Sequence, residues 1–346
     1  VLDLTKEDIN IAGSATKGNL VGSGTTWTID LAAVTAQGDI DVSLGKAGIE
    51  TTTKTVPIYK GEYTLQDRSL SATDLKDLFN TEGVTATFNA LHNLIASPHT
   101  GNNFADIIQL GDWIDLPSLH VEGYPLDDHA YDDYPYGYGK IDITYTTLAG
   151  HGANLRLIVV GINSFNNKNG NGATPHVVFQ FQNVPGRHRI EADDTNQNGY
   201  LGSEMRTYLT NNFLTGLINA GVPDAVLWAP SRRVANKGGS EADVAADIID
   251  DKLWLPTAWE MFGENKSSNP YYETQDNQAS FAGFYNGNDA RIKYRDDYSG
   301  YSGYTYLLAS PDSSSTDCFC SVAPFGEAIN FYSSSVEGVV PAFCVR

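Results

Sequence analysis

Cysteine is scarce in this chain, with three residues in 346. That count excludes a scaffold built on disulfides, and because it is odd at least one thiol stays unpaired. Basic residues are also few. Lys and Arg total 22 against 42 Asp and Glu, giving a net charge of -20. Nucleic-acid binding needs a basic face to neutralise phosphate, and anionic membranes attract basic segments, so neither partner is expected. No run approaches the length of about 18 apolar residues that a membrane-spanning helix requires. The chain opens at Val1, without Met and without the charged and apolar regions of a signal peptide. Hydrophobic residues make up 41% and charged residues only 18%, so the surface must be neutral-polar. At roughly 100–200 residues per domain, the length predicts two or three domains with a sizeable core.

Composition divides the chain into three parts. Residues 1–62 read as a small β-rich module. Thr-rich alternating runs, Thr25–Leu31 and Ile40–Leu44, are separated by breaks such as Gly22-Ser23-Gly24. Residues 63–98 read as a helical connector. Ser71 or Thr73 can cap a turn carrying Leu75, Leu78 and Phe79. A second helix after Gly83 places Val84, Phe88, Leu91 and Ile95 on one face, and Pro98 stops it. Residues 99–346 mix short elements. Leu155–Ile162 and His176–Phe181 are buried strands. Ser203–Gly221 is a helix with Met205, Leu209, Phe213, Leu217 and Ile218 inward. Val244–Leu255 is expected to be a further short helix. There are no repeats or heptads. From the residues alone the fold class is α+β with many short strands.

Motifs for chemistry are few. G-x-S-x-G fails at the last position of Gly300-Tyr301-Ser302-Gly303-Tyr304, and phosphate-binding glycine loops and H-E-x-x-H are absent. The seven histidines are scattered, without a spacing typical of metal sites. Asp194, Asn196 and Asn198, followed by Gly199, match the opening of a calcium loop, but the twelfth position is Met205 where a bidentate carboxylate is needed. The better fit is a polar turn leading into a helix capped by Ser203, with a weak Ca2+ site at Asp194, Asn196 and Asn198 as the alternative. No other cofactor is implied. The acidic, aromatic run Asp127–Gly139 reads as a solvated loop. Cys318 and Cys320, two apart, share one side of a strand, and no basic group lies near enough in sequence to lower their pKa.

Residues 294–346 stand apart. They hold six Tyr, ten Ser and four Gly, but no Lys. Tyr gives large contact area at low entropy cost, and Ser and Gly give adaptable loops, as in antibody paratopes. Apolar or small positions that look fixed alternate with chemically arbitrary ones. The run Ala309-Ser310-Pro311, Phe319-Cys320-x-Val322, Gly326, Ser334-Ser335 and Gly338-x-x-Pro341-Ala342-Phe343-Cys344-Val345-Arg346 resembles the C-terminal variable region of proteins diversified by retroelements. The stretches Leu155–Phe165, His176–Pro185, Ser203–Pro230 and Trp254–Gly263 extend the resemblance, as does Tyr271–Tyr294, so that it covers roughly residues 105–346. Its motifs are specific over 300–346.

The resemblance implies a C-terminal C-type lectin-like domain at 99–346, with a variable region at about 300–346. It implies a non-enzymatic receptor-binding protein of a phage or prophage particle, as in phage tropism determinants, or of a bacterial cell surface, as in treponemal variable proteins. Adenine-specific errors in reverse transcription would rewrite codons for side chains that face solvent. Phe319, Val322, Pro341, Phe343 and Val345 would be the fixed support. Leu307, Leu308, Asp312, Thr316, Asp317, Ala323, Pro324, Phe325, Glu327, Ile329, Asn330, Phe331, Tyr332, Val336, Glu337 and Val339 would form the hypervariable binding surface. Exposure of Leu307, Leu308, Pro324, Phe325, Ile329 and Phe331 would make an apolar patch of the kind that marks interaction sites. The lectin motifs Glu-Pro-Asn and Gln-Pro-Asp are absent, so the ligand is a protein or a glycan without lectin-type calcium chemistry. Homo-oligomerisation would add avidity. Two rivals are a formylglycine-generating oxidase of the same fold class, which would need Cys318 and Cys344, and a structural tail or surface component without a ligand.

Overall fold

A computed structural model describes residues 4–13, 15–23, 26–34, 38–46, 53–58, 72–96, 104–123, 140–148, 150–238, 246–263, 279–295 and 303–346. The chain divides into two units, residues 1–70 and 71–346. The fold is mixed α+β, with strands in the majority.

In the first unit the strands are β1 (Ile9–Ala12), β2 (Ala15–Ser23), β3 (Thr26–Val34), β4 (Gly38–Leu44) and β5 (Lys54–Ile58). β2 and β3 form a long hairpin, and β1, β4 and β5 form an antiparallel sheet in the order β1-β4-β5. Thr and β-branched residues favour this pleated geometry. Ile9, Ala15 and Ile40 are buried, with Ile11 and Val42 packed against the latter two.

The second unit opens with α1 (Leu75–Phe79), α2 (Val84–Ala96) and α3 (Phe104–Ile107). Helix α2 buries Val84, Phe88, Leu91 and Ile95 at helical spacing. Phe88 meets Phe179 edge-on at 5.3 Å and Phe343 at 6.1 Å. The helical segment is therefore part of this unit's core and not a connector, which corrects the boundary near residue 98. The strands that follow are β6 (Trp113–Asp115), β7 (Ser118–Val121), β8 (Ile141–Thr144), β9 (Thr147–Leu148), β10 (Gly152–Ala153), β11 (Arg156–Ile162), β12 (Val177–Phe181) and β13 (Gly186–His188).

A helical run then covers α4 (Glu204–Tyr208), a π turn at Leu209–Phe213 and α5 (Leu214–Asn219). Ser203 caps it, its side chain accepting from the Arg206 amide at 3.1 Å. Met205, Leu209, Phe213 and Leu217 are all buried. Their spacing of four exceeds the 3.6-residue turn, and the π turn absorbs the drift, leaving Ile218 only half-buried.

The remaining elements are β14 (Leu227–Trp228), β15 (Ser231–Ala235), β16 (Ala246–Asp250), β17 (Leu253–Trp254), α6 (Ala258–Phe262), α7 (Asn288–Arg291), β18 (Tyr306–Pro311), β19 (Cys318–Val322), β20 (Ala328–Tyr332), β21 (Glu337–Val339) and β22 (Ala342–Val345). Where a helix was expected at 244–255 the chain forms β16 and β17. Ile248 is exposed and Ile249 buried, the two-residue alternation of a strand paired on β15.

Two sheets organise the unit. One has six strands in the order β14-β22-β12-β11-β6, with β17 also on β22. The other has five, in the order β13-β21-β18-β19-β20. β12 and β22 are buried on both faces, and their residues are apolar except Gln180, whose amide donates to the Val340 carbonyl at 2.9 Å.

Two buried histidines tie stability to pH. His176 is held neutral between the Thr174 carbonyl, 2.7 Å from Nδ1, and the Phe165 amide, which donates to Nε2 at 3.1 Å. His188 stacks on Tyr208 at 4.3 Å. Burial pushes both down from 6.5 to about 4. The unfolded chain binds these protons first as pH falls. Stability is therefore fully present above pH 6.5 and is lost as pH falls towards 4, by on the order of 3 kcal/mol per histidine. Urea titrations between pH 7 and pH 4 are expected to show a steadily falling midpoint, and a flat profile would contradict this.

Candidate functional site

The five-stranded sheet carries the region singled out in the sequence. β18 lies between β21 and β19, while β20 is the terminal strand among the described residues. β18 is buried throughout. The Ala309 amide donates to the Pro256 carbonyl at 2.9 Å, and the Ala258 amide donates to Ser310 Oγ at 2.8 Å, so α6 and its lead-in cover this strand.

That placement corrects five of the sixteen expected surface positions. Leu307, Leu308 and Val339 lie in interior strands and are fully buried. Asp312 is 1% exposed, its carboxylate accepting from the Ser314 amide and hydroxyl at 2.8 and 2.9 Å. Ala323 is buried at a tight turn, its amide donating to the Glu327 carbonyl at 2.7 Å. The other eleven reach the surface. Thr316, Phe325, Glu327, Asn330 and Tyr332 are exposed, and Asp317, Pro324, Ile329, Phe331, Val336 and Glu337 are half-buried. Phe325 is 66% exposed and Tyr332 55%, both high for aromatic rings. The support residues Phe319, Val322, Pro341, Phe343 and Val345 are all buried.

Three side chains fix the backbone around this surface. Asn196 is fully buried, and its amide nitrogen donates to the carbonyls of Ser315 at 2.8 Å and Cys318 at 2.7 Å, with Asp312 at 3.4 Å. Its Oδ1 accepts from Gln197 Nε2 at 2.8 Å and the Gly238 amide at 3.3 Å. The turn 312–317 is thus pinned from outside. Ser333 Oγ accepts from the Thr195 amide at 2.7 Å and lies 2.9 Å from the Asp193 carbonyl and 3.0 Å from that of Asp317, to which it donates. Arg291 is buried and holds the 323–327 turn, its Nε donating to the Gly326 carbonyl at 2.9 Å. Gly326 has φ 79, and a Cβ there would run into the Asn288 backbone carbonyl, so the turn admits only glycine.

In contrast, the exposed side chains of β20 are not bonded into the fold. No hydrogen bond joins Asn330 or Tyr332 to another side chain among the described residues, and Glu327, just before the strand, has only a 3.4 Å contact with Asn288 Nδ2.

These clamps were not visible beforehand. Asn196 lies in the string that resembles a calcium loop, and its polar side chain serves carbonyl oxygens of a distant turn. The three candidate ligands do not converge. Asn196 turns its nitrogen inward, Asp194 Oδ1 accepts from Ser334, and Asn198 is exposed. Among the described residues no group of three His, Cys, Asp or Glu side chains could hold a metal. The turn into the Ser203 cap is the structural outcome. The acidic run 127–139 and residues 300–302 lie outside the described residues.

Burial disfavours the thiolate at two of the cysteines. None of the three cysteines forms a disulfide. Burial pushes the half-buried Cys318 up to about 11, and pushes Cys344 well above its ordinary range. Cys318 is in β19 and Cys344 in β22, on different sheets.

Residues 176–346, from the start of β12 to the C-terminal end, match the model of a family described as a domain of unknown function, DUF6273. The match takes in the whole five-stranded sheet and its clamps. No curated protein and no solved structure matches the chain. No helix among the described residues is long and apolar enough to cross a membrane.

Proposed function

We propose that this is a non-enzymatic ligand-binding protein that displays a variable surface along β20 and its flanking turns, on a phage particle or a bacterial cell surface. In this reading the second unit, 71–346, is a C-type lectin-like domain whose exposed positions are rewritten by a retroelement. One observation carries it: the backbone around 312–317, 323–327 and 333 is fixed by Asn196, Arg291 and Ser333, while the exposed side chains of Asn330 and Tyr332 make no hydrogen bond to another side chain among the described residues. Sequence variation is tolerable only where a fold is held by something other than the varying residues. The thiols weigh on the same side, because an oxidase would need Cys318 and Cys344 as thiolates, and burial disfavours that state in both.

Replacement tests this. Varied residues at Thr316, Phe325, Glu327, Asn330 and Tyr332 are expected to change unfolding free energy by no more than about 0.5 kcal/mol each. Leu307→Ala and Leu308→Ala are expected to cost about 2–5 kcal/mol. Losses above about 2 kcal/mol at several of the five exposed positions would show them to be structural and defeat the reading.

A further inference from the structure

The backbone of β20 holds a second kind of information. The Ala323 amide donates to the Glu327 carbonyl at 2.7 Å, and the Ser333 amide donates to the Asp317 carbonyl at 2.9 Å. Both pairs lie in the β19–β20 register, which runs Val322↔Ala328 to Cys318↔Tyr332. In an antiparallel ladder, hydrogen-bonded pairs recur every second residue. Residues 329 and 331 therefore point their amides and carbonyls at β19, and residues 328, 330 and 332 point theirs outward. The Tyr332 carbonyl accepts from the Ser335 amide. The amides of Ala328, Asn330 and Tyr332 and the carbonyls of Ala328 and Asn330 have no partner among the described residues.

An exposed strand edge is usually blunted by lysine, proline, a bulge or a cover. Here Ala328-Ile329-Asn330-Phe331-Tyr332 has no charge and no proline, and it pairs with β19 without a register shift. Between Arg295 and Arg346 there is no Lys or Arg. The carboxylates of Glu327 at one end and of Asp194, which accepts from the Ser334 amide at 3.3 Å, at the other stand at the two ends of this strand.

We propose that β20 takes up an extended segment of a partner protein as an added strand, with basic side chains on that segment facing Glu327 and Asp194. This names a partner class for the display surface proposed above and rests on that reading. Main-chain hydrogen bonds would supply affinity that is independent of the varied side chains, and the exposed side chains at 325, 330 and 332 would set specificity. A second copy of the chain is a poorer occupant. Antiparallel pairing of β20 with itself about Asn330 would set Glu327 of one copy against the Ser333–Ser334 end of the other, where Asp194 accepts from Ser334, between bodies each carrying -20.

The test selects a displayed library of random linear peptides on the intact chain. Enriched peptides are expected to carry Lys or Arg around a β-branched or aromatic core and to bind less tightly as salt rises. Their binding is expected to weaken about tenfold or more in Asn330→Pro, which removes one outward amide and places a ring on the edge, and by a much smaller factor in Asn330→Ala, which removes the same side chain and keeps the amide. In the unaltered protein, hydrogen exchange at the amides of Ala328, Asn330 and Tyr332 is expected to slow on peptide binding, while Ile329 and Phe331 stay as they are. Absence of enriched peptides, full binding to Asn330→Pro, or unchanged exchange at 328, 330 and 332 would each overturn strand addition. A ligand lost with Tyr332→Ala but kept by Asn330→Pro would also overturn it, and would leave the display surface standing. The display surface itself is tested separately, by the stability measurements given above.

Discussion

Replacement of Arg232 by Met is expected to cost the second unit about 3–5 kcal/mol. The Arg232 guanidinium is 1% exposed and makes a two-point contact with Glu260, Nε to Oε1 at 2.8 Å and Nη2 to Oε2 at 2.8 Å. Nη2 also donates to the Leu255 carbonyl at 3.1 Å, and the plane lies 4.7 Å from the Trp254 ring. Glu260 in turn accepts from the Thr257 amide at 2.8 Å and closes the capping box of α6. Met supplies comparable bulk and no charge. Glu260 would then be left buried with a negative charge and one main-chain donor. The cost of a buried pair lies mostly in stranding the survivor. Glu260→Gln in the same chain is therefore expected to recover part of the loss, because an amide is cheaper to bury and still completes the cap. Thermal and urea unfolding of the two single variants and the double variant would check this. A loss below about 1 kcal/mol for Arg232→Met would contradict it. The expectation bears on the display region because α6 and the residues before it cover β18.

The second large effect is at Asn196. Its replacement by Ala is expected to cost about 3 kcal/mol, since the carbonyls of Ser315 and Cys318 would lose their donor in a buried place. Asn196→Asp is expected to be no better, although it has the same shape. It exchanges the donating nitrogen for an oxygen that faces carbonyl oxygens. The readout that separates a clamp from a mere core residue is local: hydrogen exchange across 312–318 should accelerate beyond the rate in β12 or β22. Uniform acceleration through the unit would show that Asn196 contributes packing without holding this turn.

Much of the interior was legible from residue order. The apolar positions Phe319, Val322, Phe343 and Val345 lie in strands where burial was expected, and α2 buries the face that its spacing marked. Leu307 and Leu308 were misread because adjacent apolar residues, in a strand buried on both faces, carry no alternation to tell inside from outside. Whether β18 is central or terminal depends on β21, which lies 26 residues or more further along the chain (337 − 311) and pairs with it in parallel. Val339 was misread for the same reason. Over Val244–Leu255 the expected helix gives way to strand because β16 pairs along its length with β15. The clamps were illegible for a different reason. Asn196, Arg291 and Ser333 act on backbone atoms over 100 residues away in two of the cases, such as Asn196 to Cys318 with a separation of 122, and a main-chain acceptor leaves no mark on sequence. The five exposed positions were legible only through the resemblance, which marked sixteen positions without sorting the exposed from the buried.

The central claim is that this surface is varied while its support is fixed, and DNA sequence tests it most directly. The DNA beside the coding region should hold a near-copy of the codons for residues 300–346, differing from them only where the copy has adenine. The account predicts that those differences fall in codons for surface positions such as 316, 325, 327, 330 and 332, and spare the buried codons for 307, 308, 312, 323 and 339. Differences spread over all four bases, or concentrated at the buried codons, would contradict it.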